Sequence, residues 1–421
     1  MPSDSRAAFR YPSFRYFQAA RFLTVSANEM QSVAIGWQVY EITRRPLDLG
    51  LVGLAQFLPG ILLFLLAGHT ADRLRRNRIV AVCYAAFALC SLLLFVFASH
   101  GMSSVRPIYL VVTGIGVVRA FNGPAGQSLM PQLVRPEDFP NAAAWGSSIF
   151  NTATILGPVF GGILYSLLGG AHYVYLMAAI AFALAFVSAL LIRPEYEARR
   201  RDASLRTVFA GFDYLWHNQI VLGAISLDLF AVLLGGAVAL LPVYAREILR
   251  VGPWGLGVLR SAPGVGAVVM ALVLAHRPLR KRAGAIMLWC VAAFGAATIV
   301  FGISRSVTLS LVALLMVGAS DMVSVIVRST LVQLNTPDEM RGRVSAVNML
   351  FIGASNEFGQ FESGLTAQWL GTVPAVVWGG IGTLLVVGTW ALLFPKLRRV
   401  NSLTEQPARM SGEPAVTADP N

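Results

Sequence analysis

The stretch Gly68-His-Thr-Ala-Asp-Arg-Leu-Arg-Arg-Asn-Arg78 sets an aspartate and four arginines within seven residues, between two long apolar runs. The chain of 421 residues is 56% hydrophobic and 13% charged, with a mean hydropathy of +0.65; ordinary soluble domains carry roughly 25% charged residues. Twelve apolar runs follow one another, the first over residues 17–41 and the last over 373–395. About 20 apolar residues cross a hydrocarbon core of roughly 30 Å as a helix. The sequence therefore specifies an all-α integral membrane protein with twelve transmembrane helices, and the quoted stretch is the loop joining the second to the third.

The net charge of +12 is sorted by loop. With the N-terminus inside, the cytoplasmic segments hold 23 of the 33 Lys and Arg residues, among them Arg73, Arg75, Arg76 and Arg78, and the opposite loops hold six: Arg44, Arg45, Arg106, Arg246, Arg250 and Arg305. This is the bias that orients a multi-pass protein during insertion. It places both termini in the cytoplasm, implies an inner-membrane location, and accounts for the basic total without a nucleic-acid partner. Cys83, Cys90 and Cys290 all lie in apolar runs and match no metal-ligand spacing, and the five histidines form no cluster. No P-loop is present, so direct ATP drive within this chain is not expected. The first apolar run carries Glu29 and lacks a cleavage site, so it is expected to stay as a helix. The polar, proline-containing tail is expected to be disordered.

Sliding the chain against itself reveals a repeat of about 200 residues. Val39-Tyr40 meets Val243-Tyr244, and Gly53, Pro59 and Gly60 meet Gly257, Pro263 and Gly264, both at an offset of 204. Gln132-Leu133, Pro136 and Glu137-Asp138 meet Gln333-Leu334, Pro337 and Asp338-Glu339 at 201. The organisation expected is a six-helix half over residues 1–192, a cytoplasmic loop over 193–217, a second half over 218–396 and a tail over 397–421. Parallel repeats of this kind put a substrate cavity between the halves near the bilayer midplane.

These residues resemble the major facilitator superfamily of transporters. The loop signature of that superfamily is matched by Gly68, Ala71, Asp72, Arg73 and Arg76, with departures at Thr70 and Arg75; Arg119 to Gly123 is similar to its helix 4 signature, with Asn122 in place of Gln. Gly157, Pro158, Gly161 and Gly162 resemble its helix 5 antiporter signature, although Ala153 stands where a further glycine is usual. The segments "SLMPQLVRPEDFPNAAAW" and "SNEFGQFESG" are most similar to the branch holding enterobactin exporters and macrolide efflux proteins (drug:proton antiporter-3). The resemblance implies that Gly68, Asp72, Arg73 and Arg76 form a conformational switch, Asp72 latching onto helix 11 near Arg341. Physically, a proline removes a backbone donor and small residues permit close helix approach, so helix 5 is read as a bend plus a seam. Its helix 11 counterpart, Phe358-Gly359 with Glu362-Ser363, has neither the proline nor the glycine pair.

Ionisable groups inside spans are costly and normally meet a partner or a water-filled cavity. Glu29, Asp228 and Glu357 are the candidates for proton coupling; a carboxylate in a low-dielectric cavity can bind and release a proton as access alternates. Asn28, Gln31, Arg119, Asp321 and Arg328 are candidates to line the substrate cavity, with pairs between Arg119 and Asp321, and between Glu29 and Arg21 or Arg119, as the partnerships to look for. Phe22, Trp37, Tyr40, Trp145 and Phe358 could line a site for a large amphipathic ligand or serve as packing. The function these features imply is not enzymatic: it is secondary, proton-driven efflux of a hydrophobic, siderophore-like or drug-like small molecule by a monomer, without a bound cofactor or metal. An uncoupled facilitator, a lysophospholipid flippase and a non-transporting membrane receptor of the same fold are the alternatives.

Overall fold

The computed structural model describes residues 6–194, 196, 212–277, 279 and 281–400; the side chains of Phe64, Leu65, Ala71, Asp72, Asp338 and Ala346 lie outside that description. The proposed latch of Asp72, most of the central loop over 193–217 and nearly all of the tail over 397–421 therefore fall outside the described residues. Proline at a first helical position has no orphaned N–H and a pre-set φ. Such prolines open α1 (Pro12–Thr43) and α2 (Pro46–Leu62, continued by Phe64–Arg73), and Pro107 stands second in α4 (Arg106–Leu129). α3 covers Arg76–Ser99, α5 Phe139–Leu168 and α6 Ala171–Leu190. α7 (Gln219–Ile248) begins where the Asn218 side chain accepts from the N–H groups of Ile220 and Val221, and ends in a π-helical turn, Tyr244–Ile248. α8 (Gly252–His276), α9 (Ala283–Ile303), α10 (Val307–Leu334), α11 (Asp338–Leu370) and α12 (Thr372–Leu393) complete the set.

Among the described residues, nine of these helices are long and apolar enough to cross a bilayer. The other three fall short for a physical reason. α1 and α11, of 32 and 33 residues, have the length, but carry Arg15, Arg21, Glu29 and Glu41, and Arg341, Arg343, Glu357 and Glu362 respectively. α2 contains Pro59 and breaks at Leu63, leaving an apolar helix of 17 residues and a polar one of 10. No strand occurs among the described residues.

The packing repeats with the sequence. α1 lies on α5 and α6, α3 on α4 and α6, and α2 on α4; displaced by six helices, α7 lies on α11 and α12, α9 on α10 and α12, and α8 on α10. The two halves meet along two related seams, α5 against α8 and α2 against α11. The arginine-rich connections gather on one face: the N-terminal segment meets the α4–α5 loop through Tyr11 and Asp138, and Ser13 Oγ and Asn77 Nδ2 donate to the carbonyls of Arg193 and Ile192 beyond α6. This is called the basic face below.

Candidate transport site

Both seams are tightest toward the opposite face, and glycine makes them so. A Cβ on Gly257 of α8 would sit 2.3 Å from the Pro158 carbonyl oxygen of α5, and one on Gly162 would sit 2.5 Å from the Pro253 oxygen of α8. In the related seam, a Cβ on Gly364 of α11 would lie 2.9 Å from the Pro46 oxygen of α2, with Gly50 directly across. Gly157 and Gly161 serve a different contact, pressing α5 onto α1 at Ser26, Glu29 and Met30. α5 remains one continuous helix through Pro158. α11 has neither the proline nor the glycine pair of α5, but its single Gly364 takes the seam position of Gly162 at an offset of 202, one residue from the register used in the sequence comparison.

At the end of that closed face, α1 and α7 are clamped together. Tyr40 donates to Glu247 at 2.6 Å, Arg44 approaches the same carboxylate at 3.7 Å, and Arg246 lies 3.3 Å from Glu41, which accepts from Tyr165 of α5 at 3.0 Å. Arg246 also stacks over Trp37, 5.2 Å from the ring centre. The π-helical turn places Arg246 and Glu247 there. After the shared Val-Tyr pair, the second repeat has two extra residues, Ala245 and Arg246, before its Glu-Ile, and the π turn spans this insertion.

Toward the basic face the N-terminal half presents a cavity of about 680 Å³, walled by residues of α1, α3, α4 and α5 and within the roughly 300–1,000 Å³ range of small-molecule sites. Phe17, Arg21, Asn28, Tyr84, Arg119 and Phe150 are among its walls. Arg21 lies over the Phe150 ring at 5.5 Å, and the buried Oδ1 of Asn122, also in the wall, has no partner among the described residues. Two arginines and no carboxylate face this space among the described lining residues.

Two ion pairs cross between the halves. Glu29 of α1 lies 3.7 Å from Nε of Arg260 in α8, whose guanidinium donates to Ser32 at 2.7 Å. Arg119 of α4 lies 4.0 Å from Glu357 of α11 and donates to Gln56 of α2 at 2.9 Å. Asn28 and Arg119 thus stand in the cavity wall, whereas Glu29, next in sequence to Asn28, and Glu357, paired with Arg119, are not among its lining residues. The partners of Glu29 and Arg119 differ from those sought in the sequence, Arg21 or Arg119 for the one and Asp321 for the other. Gln31 is buried inside the N-terminal half, accepting from Ser91 at 2.5 Å. Asp228 and Arg328 form a buried ion pair between α7 and α10, and Asp321 lines a small internal space beside Asp228. Those three belong to the interior of the C-terminal half and not to the cavity wall. Of the aromatics, Trp37 and Tyr40 belong to the clamp, Trp145 packs edge-on against Phe9, and Phe358 meets Phe57 across the α2–α11 seam. Arg260, Glu41 and Glu247 escaped the sequence reading: the last two sit at span ends, and Arg260 has a glycine- and proline-rich apolar setting with no acid near it in sequence.

The profile of a family described as transmembrane secretion effector matches residues 3–420. The chain belongs to this family, a branch of the major facilitator superfamily. Among its relatives, the enterobactin exporter EntS of Shigella boydii serotype 4 (strain Sb227) is 25% identical over 401 residues, covering 94% of this chain and 95% of the relative. The enterobactin exporter EntS of Escherichia coli O157:H7 (strain EC4115 / EHEC) is 25% identical over 407 residues, 96% of each chain. Among solved structures, a POT family transporter in complex with 5-aminolevulinic acid superposes with a TM-score of 0.73 at 10% identity, covering 92% of this chain and 97% of that one. A bacterial homologue of the iron transporter ferroportin in an inward-facing state superposes with a TM-score of 0.67 at 16% identity, covering 92% and 99%. Family membership makes the chain a multi-pass membrane transporter and not an enzyme, and the structural likeness carries the fold.

Proposed function

We propose that the chain is a proton-driven exporter in an inward-open arrangement, carrying an anionic, aromatic small molecule of siderophore or drug size from the cytoplasm. The cavity wall is the observation that carries this reading: two arginines among aromatic rings, with no carboxylate, suit a ligand with negative charge and π-faces. The exporter relatives and the concentration of arginine on the open face, taken as cytoplasmic, supply the direction. The protein works as a monomer in the inner membrane with both termini inside, and the proton gradient is its energy source.

The chain's own residues suggest the coupling. In the inward-open arrangement Glu29 and Glu357 are each held by an arginine from the other half. An anionic substrate entering from the cytoplasm competes for Arg119 and loosens Glu357. When the halves rock, both pairs must separate, because each joins helices on opposite sides of the boundary. The freed carboxylates are then exposed to the opposite face, take up protons there, and lose the charge that would otherwise have to be buried alone. On return, deprotonation to the cytoplasm restores the ion pairs and resets the cavity. Asp228, paired inside the C-terminal half, is assigned to packing in this scheme.

Vesicles containing the purified chain test the reading. With an outwardly imposed substrate gradient, substrate movement accompanied by opposite proton flux is the expected result. Flux without proton movement would leave a facilitator, and binding without flux a receptor.

A further inference from the structure

A second cavity lies on the other side of the α3–α4 contact from the transport site. It is a groove of about 450 Å³ between the end of α2, the start of α3 and the later half of α4. α2 and α4 touch closely where Gly116 meets the Gln56 backbone; the groove lies beyond that contact, on the basic-face side of the break at Leu63. Ile79 and Cys83 form its buried floor, Val118 and Phe121 its far wall, and Val82, 67% exposed, opens it onto the outer surface of the bundle, where lipid lies. Arg73, Arg75 and Arg78 line it at the basic face. None of those three makes an ion pair or a side-chain hydrogen bond among the described residues, whereas Arg76 in the same loop donates to the Ser128 carbonyl at 3.1 Å.

We propose that this groove binds an anionic phospholipid of the adjoining leaflet, its phosphate against Arg73, Arg75 and Arg78 and an acyl chain along Val82, Val118 and Phe121. Basic pockets between helices on the cytoplasmic side recognise anionic headgroups through charge, and the apolar walls add burial proportional to the chain they cover. Neither half of the site explains the other. A neutral lipid would have no use for three arginines at the mouth, and a free phosphate none for the apolar walls. The lipid here is a bound partner and not the transported substrate, since the groove faces the bilayer and is separated from the central cavity by α3 and α4.

The test uses the full-length protein in detergent with native mass spectrometry, offering phosphatidylglycerol, phosphatidylcholine or inorganic phosphate. Phosphatidylglycerol should be retained at least tenfold more than phosphatidylcholine, and phosphate should not displace it. Arg75→Gln with Arg78→Gln should weaken retention about thirty-fold, equivalent to roughly 1 kcal/mol for each charge removed. Ala86→Trp, which fills the groove while leaving the arginines in place, should weaken it as well. On the unsubstituted protein, phosphatidylglycerol with a photoreactive acyl chain should label residues 79–86 and 117–121. Equal retention of phosphatidylcholine, displacement by phosphate, full retention in Ala86→Trp, or labelling spread around the bundle would each overturn the proposal.

Discussion

Glu29 and Glu357 each find an arginine from the other half, and the proposed mechanism has both pairs separate when the halves rock. Glu29→Gln should flatten the pH dependence of transport in vesicles while leaving the protein folded; an unchanged pH profile would remove Glu29 from coupling. The buried Asp228 and Arg328 pair predicts a different outcome. Arg328→Ala strands a buried carboxylate and should cost about 3–5 kcal/mol of stability, seen as a marked fall in the thermal unfolding midpoint in detergent, whereas Asp228→Asn with Arg328→Met should recover much of it. The candidates themselves were legible in the sequence, because a charge inside an apolar run stands out. Their partners were not. Arg119 and Asp321 occupy nearly equivalent repeat positions, yet a repeat fixes depth and leaves open which way each helix turns its side chains. Asp321 faces α7 within its own half, and Arg119 meets Glu357 instead.

Helix contacts near the closed face depend on the absence of a single carbon. Gly257→Ala would put a Cβ 2.3 Å from the Pro158 oxygen, against backbone that cannot yield cheaply. The α5–α8 seam should then open, raising the reactivity of an engineered cysteine at Ser261, which is buried and donates to the Ile155 carbonyl across the seam, toward a membrane-impermeant maleimide; unaltered reactivity would show that the seam is not tight in the bilayer. The π-helical end of α7 predicts a related effect. Hydrogen bonds to a charged group contribute roughly 1.5–3 kcal/mol, while the half-exposed Arg44 to Glu247 contact contributes little. Glu247→Ala should therefore shift the population toward opening of the closed face by about tenfold through loss of the Tyr40 bond, measured by the same labelling; an unmoved population would place the restraint elsewhere. The α5 seam was readable from Gly157 to Gly162, but its α11 counterpart was not, because the repeat offset drifts along the chain and Gly364 falls one residue outside the register compared.

Six helices and their six counterparts pack in the same pairwise pattern, joined at one face by glycine seams and the α1–α7 clamp, with an arginine-bearing cavity of the N-terminal half toward the other. The twelvefold run of apolar segments, the repeat and the sorting of arginines made this architecture legible from sequence. Which contacts join the halves was not, because they are single pairs far apart in the chain, such as Glu29 with Arg260 and Arg119 with Glu357. The central claim is that the two halves rock as units, so that closure at one face accompanies opening at the other. Double electron–electron resonance on two doubly labelled proteins in nanodiscs tests it directly, one pair at Glu137 and Arg277 on the basic face and the other at Arg45 and Arg305 opposite. Acidification should shorten the first distance and lengthen the second in the same titration. Distances that change in the same direction, or a second pair that stays fixed while the first moves, would contradict it.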